Sequence, residues 1–417
     1  MRKIYSQTQK MLNLENLVYL TVVGLPLYLV KVNFFGLPTN VLEILEATVF
    51  FTWLLDKNYP KPKAHMLFFA YKKYIISISL IIFGLLASTW FNGNYRIGLG
   101  IIKGWFILPI LFTVAVLNIF DRTQIPNIFK AFFVSALAVS LAALGWFFFG
   151  RLTYDGRLAG PFNSPNYLAM YLAPAVIIGV VLAQIQSLES KTKKVLLKTS
   201  TLYHTSLALL LIPLYLTHSF AAWAALVISL LIREAITKGK SILKSKVFWS
   251  SAILMLLFFS VEWNSGKLRE AYNLSERSSL ASRVMIWKAA ERIAGDNLIW
   301  GIGPGNFQLK YLEYQKFFPL YLEWAVPHPH NLYLAFLLQA GLFGLAGFVL
   351  LLFFWLGDVW RMEKSALRAI AMAIMFYILL HGLVDTTYFK NDLAVIFWLS
   401  FLILSQKKAA PTTPVSG

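Results

Sequence analysis

The chain has 417 residues and carries 38 Lys plus Arg against 19 Asp plus Glu, a formal net charge of +19. Hydrophobic residues make up 58% of the sequence, charged residues make up 14%, and the mean hydropathy is +0.64. This composition excludes a soluble protein with one ordinary core and favours a multi-pass membrane protein. Because cysteine is absent, disulfides and Cys-based metal sites are excluded as well.

Apolar segments recur along the whole chain and predict an all-α polytopic bundle of about twelve transmembrane helices. Their approximate limits are 15–32, 38–55, 74–91, 99–120, 129–149, 165–185, 202–218, 220–236, 247–262, 331–356, 368–385 and 392–405. With both termini placed in the cytoplasm, the seven cytoplasmic segments hold 24 of the 38 Lys and Arg residues. This bias predicts cytoplasmic termini, and it attributes the positive charge to membrane orientation rather than to nucleic-acid binding.

The longest polar segment, residues 263–330, interrupts this alternation. It is rich in aromatic residues and helical periodicity, so we expect a functional extracytoplasmic loop with amphipathic helices. The predicted organisation is spans one to nine in 1–262, this loop in 263–330, the last three spans in 331–405, and a disordered cytoplasmic tail in 406–417.

Within this loop, residues 278–297 (SSLASRVMIWKAAERIAGDN) are predicted to form an amphipathic helix. Its buried face is expected to comprise Leu280, Ile286, Trp287, Ala290, Ile293 and Ala294. Arg283 points along the middle of this face, whereas Lys288 and Arg292 point away from it. Since a buried arginine is costly without an anion, Arg283 is a candidate catalytic, anion-binding residue. The structural alternative is an ion pair with an internal carboxylate such as Glu323.

An earlier segment, residues 154–175, joins two predicted spans on the outer side. Asn163, Pro165 and Asn166 mark the start of a helix, and Arg157 is expected close to its free N–H groups. Such a setting favours an anion, so Arg157 and Asn166 are candidate substrate-binding residues. The alternative for Arg157 is an ordinary interfacial arginine.

The stretch VPHPHN, residues 326–331, leads directly into the tenth predicted span. Pro329 suits the first turn of a helix, so we expect His330 in that turn, with Asn331 beside it as a candidate substrate-binding residue. The helix dipole favours the neutral imidazole there, which could take a proton from a hydroxyl. His328 lies between two prolines and is expected to shape the loop or contact the acceptor. Interfacial histidines without a role and a zinc site are the alternatives, but the loop offers few further ligands.

Other motifs carry weaker signals. The sequence contains no Asp-x-Asp motif, so we expect no metal-bound diphosphate and no cofactor. The glycine-rich segment GIGPGN, residues 301–306, follows no strand and is predicted to be a turn rather than a phosphate loop. His381 and Asp385, four residues apart in the eleventh span, are expected to form a structural pair.

Three charged residues lie within or near the ends of apolar segments: Glu43, Glu46 and Lys103. A charge inside a membrane span costs about 3 kcal/mol, so such residues are often functional. They could line a proton or ion path, which keeps a transporter, such as a flippase of lipid-linked glycans, as the alternative function.

Four motifs, GRLAGPFNSPN, SRVMIWKAA, GIGPGNF and HNLYLAFLLQAGLFGL, occur in an order that resembles the O-antigen ligase and Wzy-type polymerase superfamily. The resemblance implies a helical fold of the GT-C type in the bacterial cytoplasmic membrane. It also implies metal-independent transfer of a glycan from a polyprenyl diphosphate carrier to a glycan, lipid or protein hydroxyl at the outer face. The essential histidine of the family corresponds to His330, and its arginine before the Trp-containing helix corresponds to Arg283.

The sequence departs from this family at one position. Many members carry a Ser-Arg pair where the seventh and eighth spans meet, and the resemblance implies that this arginine binds the diphosphate. Here Phe220 follows Ser219. Either Arg157 or another basic residue takes this role, or the acceptor chemistry differs.

Overall fold

The computed structural model describes residues 13–34, 37–59, 64–189, 193–263, 279–318 and 326–407. Helices dominate these ranges, which confirms the predicted helical, polytopic membrane architecture. Among the described residues, six helices are long and apolar enough to cross a membrane, and five further apolar helices are shorter. The twelve-span count and the GT-C-like arrangement stay predictions.

The helices of the first half follow one another through short connections. Their limits are α1 Leu14–Val23, α2 Val41–Leu55, α3 Ala64–Asn92, α4 Tyr95–Ile101, α5 Leu108–Ile119, α6 Ile125–Phe148 and α7 Pro165–Glu189. A π-helical segment, Ile102–Ile107, joins α4 to α5, so these elements form one continuous apolar rod. A 3₁₀ turn, Leu25–Leu29, follows α1.

The second half contains the helices that surround the candidate site. Their limits are α8 Lys193–Leu216, α9 Phe220–Lys238, α10 Lys246–Trp263, α11 Ser279–Asp296, α12 Phe307–Tyr314, α13 Leu332–Arg361, α14 Ala366–His381 and α15 Asn391–Leu399. Shorter 3₁₀ segments are Gly239–Lys244, Gln315–Phe317 and Ser400–Lys407. The predicted loop 263–330 therefore contains two helices, α11 and α12, and its residues 264–278 and 319–325 lie outside the described ranges.

A two-stranded antiparallel sheet replaces the end of the first predicted span and the loop after it. Its strands are β1, Lys31–Phe34, and β2, Leu37–Asn40. The helix predicted over 15–32 ends at Val23, because Gly24 and Pro26 disfavour its continuation. Within the described ranges, the all-α prediction is therefore correct except for this hairpin.

Close packing of α3 against α13 forms the largest helix–helix contact of the bundle. A Cβ atom at Gly84 would lie 2.3 Å from the carbonyl oxygen of Ala340, and one at Gly347 would lie 2.7 Å from that of Ser77. Small residues of this kind let two backbones approach within a membrane, where burial of apolar surface gives little driving force between helices. The histidine segment that precedes α13 is thus anchored to a rigid pair of helices.

The glycine-rich segment 301–306 forms a turn, as the sequence predicted, and it packs against a kink in α13. The kink lies at Gly341, whose φ is +63° and where a Cβ atom would lie 2.1 Å from the carbonyl oxygen of Ile299. The Ile302 N–H donates to the carbonyl of Leu338 over 2.7 Å. This contact fixes the position of α11 relative to α13.

The buried face of α11 packs in a small apolar cluster apart from the main core. Of the residues predicted for this face, Ile286, Ala290, Ile293 and Ala294 are buried. Leu280 is 40% exposed, contrary to the prediction, because the buried residues of the cluster begin only at Ile286.

Candidate functional site

Four polar segments meet at one end of the bundle around a single carboxylate, that of Asp385. This residue lies in the loop between α14 and α15 and is 1% exposed. The histidine segment before α13, the first turn of α7 and the first half of α11 each bring a polar side chain to it. The site therefore joins residues that are more than 200 positions apart in the sequence.

Each oxygen of the Asp385 carboxylate contacts separate groups. Oδ1 lies 3.2 Å from Nδ1 of His330 and accepts the backbone N–H of Thr386 over 2.8 Å. Oδ2 accepts the side-chain amide of Asn166 over 2.9 Å and lies 3.8 Å from Nη2 of Arg283. Burial raises the pKa of Asp385, but His330 and then Arg283 outweigh burial and hold this pKa well below its ordinary value. The carboxylate is thus kept as an anion.

The backbone at His330 differs from the prediction. Helix α13 begins at Leu332, and Asn331 is its N-cap, accepting the backbone N–H groups of Tyr333 and Leu334 over 3.0 and 2.9 Å. His330 therefore precedes the helix and does not lie in its first turn. An asparagine cap satisfies two N–H groups at once, which favours this start over one at Pro329.

His330 also adopts a left-handed backbone conformation, with a φ of +45°. This region is uncommon for residues other than glycine and costs about 1–3 kcal/mol, so surrounding contacts must hold it. One such contact is the indole N–H of Trp287, which donates to the His330 carbonyl over 3.1 Å. Asn331 adds another, because its amide donates to the Leu383 carbonyl in the loop that carries Asp385.

Arg283 lies one helical turn before Trp287 on α11, and its side chain is only 18% exposed. Lys288 and Arg292 are exposed, as the helical periodicity predicted, and the guanidinium of Arg292 lies over the ring of Phe317. The carboxylate near Arg283 is Asp385, whereas Glu323 lies outside the described residues. The arginine is therefore directed into the site and not toward the surface.

Arg157 reaches the same site from the loop before α7. Its Nη2 donates to the side-chain oxygen of Asn166, and its Nε donates to the carbonyl of Thr217, each over 2.7 Å. Burial lowers the pKa of Arg157, and the positive charge of Arg283 lowers it further, although Asp155 acts in the opposite direction. Two arginines thus share one region, and Asn166 connects the first of them to Asp385.

His328 lies beside His330, with ring centroids 4.2 Å apart, and its Nε2 is 3.0 Å from the hydroxyl of Tyr167. Burial, followed by the neighbouring His330, lowers the pKa of His328 to about 3. The Lys390 ammonium lies 3.3 Å from the ring centroid of Tyr167 and 3.2 Å from the hydroxyl of Tyr28. Burial lowers the pKa of Lys390 to about 8. Lys390 is therefore a third cation near the histidines. It was not singled out from the sequence.

His328, His330 and Asp385 also form a possible metal-binding group, since one ligand atom from each lies within 4.8 Å of the others. The sequence predicted few further metal ligands near the two histidines. Asp385 was not predicted as a ligand because it comes from another loop. Nitrogen and carboxylate ligands suit zinc. Yet both oxygens of Asp385 already accept hydrogen bonds, and the guanidinium of Arg283 lies beside them. The arrangement favours a His–Asp pair facing an anion.

The expected structural pair of His381 and Asp385 is not formed by their side chains. Helix α14 ends at His381, whose Nδ1 lies 2.9 Å from the hydroxyl of Tyr377. The backbone N–H of Asp385 donates to the His381 carbonyl over 3.0 Å, and between the two side chains the interaction is electrostatic, without a hydrogen bond among the described residues. Because the helix stops at His381, the spacing of four residues no longer places the two side chains on one face.

The charged residues predicted within the apolar segments lie on two neighbouring elements, Glu43 and Glu46 on α2 and Lys103 on the π-helical segment. The carboxylate of Glu43 lies 2.7 Å from the Lys103 ammonium and accepts the side-chain amide of Asn391. Glu46 is fully buried, and neither of its oxygens has a hydrogen-bond partner among the described residues. Glu43 and Lys103 therefore neutralise each other, and the proton or ion path stays a prediction.

Residues 205–349 match the family of O-antigen ligases. The matched stretch contains Arg283, His328 and His330 and confirms the resemblance on which the sequence-based expectations relied. Together with the apolar helices, it indicates a multi-pass membrane protein with a ligase-like or polymerase-like role in polysaccharide biosynthesis. No curated protein matches the chain. Arg157 and Asp385 lie outside the O-antigen ligase match. The fold brings them next to the matched residues of the site.

The lowered pKa of His328 predicts an acid-sensitive fold. Below pH 6.5 an unfolded chain gains a proton at this histidine, whereas the folded chain gains it only near pH 3. Stability should therefore fall as the pH falls through this window. Melting temperatures of the purified protein, measured between pH 7.5 and 4.5, should fall less steeply in His328→Gln than in the wild type.

His204→Gln, on the lining of a separate cavity between α7 and α10, is the matched control. It should retain the wild-type slope. Protonation of Asp385 lowers the stability only at pH values below the ordinary carboxyl pKa of 3.8. These values lie outside the measured range. Parallel curves for His328→Gln and the wild type would contradict the assignment.

Proposed function

We propose that the protein transfers a glycan from a polyprenyl diphosphate carrier to an acceptor hydroxyl at the outer face of the bacterial cytoplasmic membrane. The observation that carries this proposal is the His330–Asp385 pair beside two partly buried arginines at one end of an apolar helical bundle. The carrier lipid must stay in the bilayer while its sugar reaches water. A site at the end of the bundle suits such a substrate.

His330 is the proposed base. Because the anionic Asp385 carboxylate can only accept, we assign the proton to Nδ1 of His330, 3.2 Å from Oδ1, which leaves Nε2 as the nitrogen that can accept a proton. The anionic carboxylate also stabilises the imidazolium that forms during the reaction, as in other His–Asp pairs. The backbone contacts of Trp287 and Asn331 hold the ring in position.

Arg283 and Arg157 are the proposed diphosphate ligands. Guanidinium groups bind phosphate oxygens with paired hydrogen bonds and keep their charge when partly buried. Arg157 donates to the carbonyl of Thr217, two residues before Ser219. It therefore lies against the segment in which many family members carry a Ser-Arg pair, and this position supports Arg157 as the substitute for that arginine.

The proposed reaction is a single displacement. The acceptor hydroxyl gives its proton to Nε2 of His330, and its oxygen forms a bond to the anomeric carbon. The bond from that carbon to the phosphate oxygen breaks, and its electron pair leaves with the diphosphate. The arginines stabilise this developing charge, an effect that often dominates catalysis. One displacement inverts the anomeric centre.

The transfer is proposed to need no divalent metal, because arginines rather than carboxylates face the diphosphate and both Asp385 oxygens are engaged. Purified protein treated with EDTA should retain its turnover with a lipid-linked glycan donor. If chelation abolishes turnover and Mg²⁺, Mn²⁺ or Zn²⁺ restores it, then His328, His330 and Asp385 act as metal ligands and the proposed mechanism is wrong.

Because Arg283 is directed into the site, its replacement is predicted to impair transfer. Arg283→Ala should reduce transfer by roughly 10²-fold or more, because it removes a charge-assisted contact to the leaving group. Arg283→Lys should also transfer poorly, since an ammonium cannot make two parallel hydrogen bonds. Arg292→Ala is the matched control, because Arg292 lies on the same helix but is exposed. Equal losses at the two positions would show that surface charge, and not a site, is what matters.

The third prediction separates the base from its neighbour. His330→Ala should lose about 10²–10⁴-fold in turnover while donor binding persists, because the arginines carry the binding. Asp385→Asn should also lose turnover, since an amide neither fixes the Nδ1–H tautomer nor stabilises the imidazolium. His328→Ala should show a milder loss. Near-normal turnover of His330→Ala, or loss of donor binding instead of turnover, would exclude the base role.

A further inference from the structure

A second basic site lies at the end of the bundle remote from His330. There α9 and α14 border a cavity of about 20 Å³. Its polar lining comprises Arg233, Thr237, Lys364, Ser365 and Arg368. Helix α9 begins at Phe220, next to the segment that holds Arg157, and Arg233 lies thirteen residues further on, about 20 Å along the helix axis. Arg368 is equally far from His381, at the other end of α14.

Both arginines of this cavity are deeply buried and incompletely satisfied. Arg233 is 7% exposed and Arg368 is 8% exposed. The Nε atom of each has no hydrogen-bond partner among the described residues. Buried polar groups in folded proteins are nearly always hydrogen-bonded, so an unpaired N–H on each of two neighbouring arginines indicates a missing acceptor.

Among the described residues, the cationic side chains that line the cavity are only partly neutralised. Arg233 pairs with Glu234 over 2.5 Å, which neutralises the first arginine. Arg368 donates only to the backbone carbonyls of Met362 and Trp360, and within the described part of the chain no carboxylate lies within 4 Å of it. The exposed Lys364 adds a further positive charge at the rim. An anion is therefore the complementary ligand.

The start of α14 strengthens this preference. Ser365 caps the helix by accepting the backbone N–H of Arg368, and the first turn of the helix lines the cavity. Free N–H groups and the helix dipole at such a terminus favour a phosphate-like anion. The nearby Trp360 is 58% exposed, and an exposed tryptophan at the end of an apolar helix is typical of the lipid headgroup level.

We propose that this cavity takes one oxygen of the phosphate of an anionic phospholipid from the leaflet opposite the catalytic site, since its volume of about 20 Å³ has room for about one such atom. The side chains of Ile236 and Met372 give the cavity an apolar side, which suits a headgroup that enters from the bilayer. Basic pockets between membrane helices commonly bind such headgroups. The bound lipid joins α9 to α14, the two helices whose other ends border Arg157 and Asp385, and this role does not depend on the transfer reaction.

The test measures the melting temperature of the full-length protein in neutral detergent with added phosphatidylglycerol. The lipid should raise the wild-type melting temperature by about 3 °C at saturation. The same concentration of phosphatidylcholine or of inorganic phosphate should raise it by less than half as much. Arg368→Gln and Lys364→Gln should each reduce the phosphatidylglycerol shift by at least half.

Lys240→Gln is the matched control, because Lys240 is an exposed lysine that follows α9 at the same end of the bundle and does not line the cavity. It should keep the full shift. Arg368 also binds carbonyls at the end of α13, so Lys364→Gln carries the test if Arg368→Gln does not fold. An equal shift in Lys364→Gln and Lys240→Gln, or an equal effect of phosphatidylcholine, overturns the proposal. An equal effect of inorganic phosphate overturns the assignment to a lipid.

Discussion

The buried carboxylate of Asp385 is the contact on which the arrangement of the site depends. It accepts from Asn166 at the start of α7, pairs with His330 before α13, and lies 3.8 Å from Arg283 on α11. A buried anion without partners would cost several kcal/mol, so folding must bring these groups together. The same carboxylate that orders three separate segments also sets the tautomer of the proposed base. Stability of the site and its chemistry therefore rest on one side chain.

The membrane helices supply the rigidity that such a site needs. Gly84 and Gly347 allow α3 and α13 to pack backbone against backbone, and the kink at Gly341 receives the turn before α12. These contacts position the start of α13 and the helix α11. The strained backbone of His330 is held from both directions, by Trp287 and by the loop that follows α14. A loosely attached loop could not maintain that conformation.

Local patterns predicted much of this structure, and long-range contacts account for what they missed. Helical periodicity placed Arg283 inward and Arg292 outward, because direction on a helix depends only on spacing. The role of Asp385 was missed, since the sequence shows neither that α14 ends at His381 nor that the following loop returns to His330. Lys390 was missed for the same reason. The start of α13 was placed too early, because two local signals competed and the asparagine cap prevailed over the proline.

Electrostatics connects the two ends of the bundle. At the end with the proposed catalytic site, the single carboxylate of Asp385 is shared by His330, Arg283 and Asn166, so it cannot fully neutralise the arginines beside it. At the other end, Arg368 contacts backbone carbonyls alone among the described residues. Partly buried cations in a medium of low dielectric constant attract anions more strongly than exposed ones do. Each end thus favours an anion, and in a bilayer the anionic phosphates lie at the two surfaces.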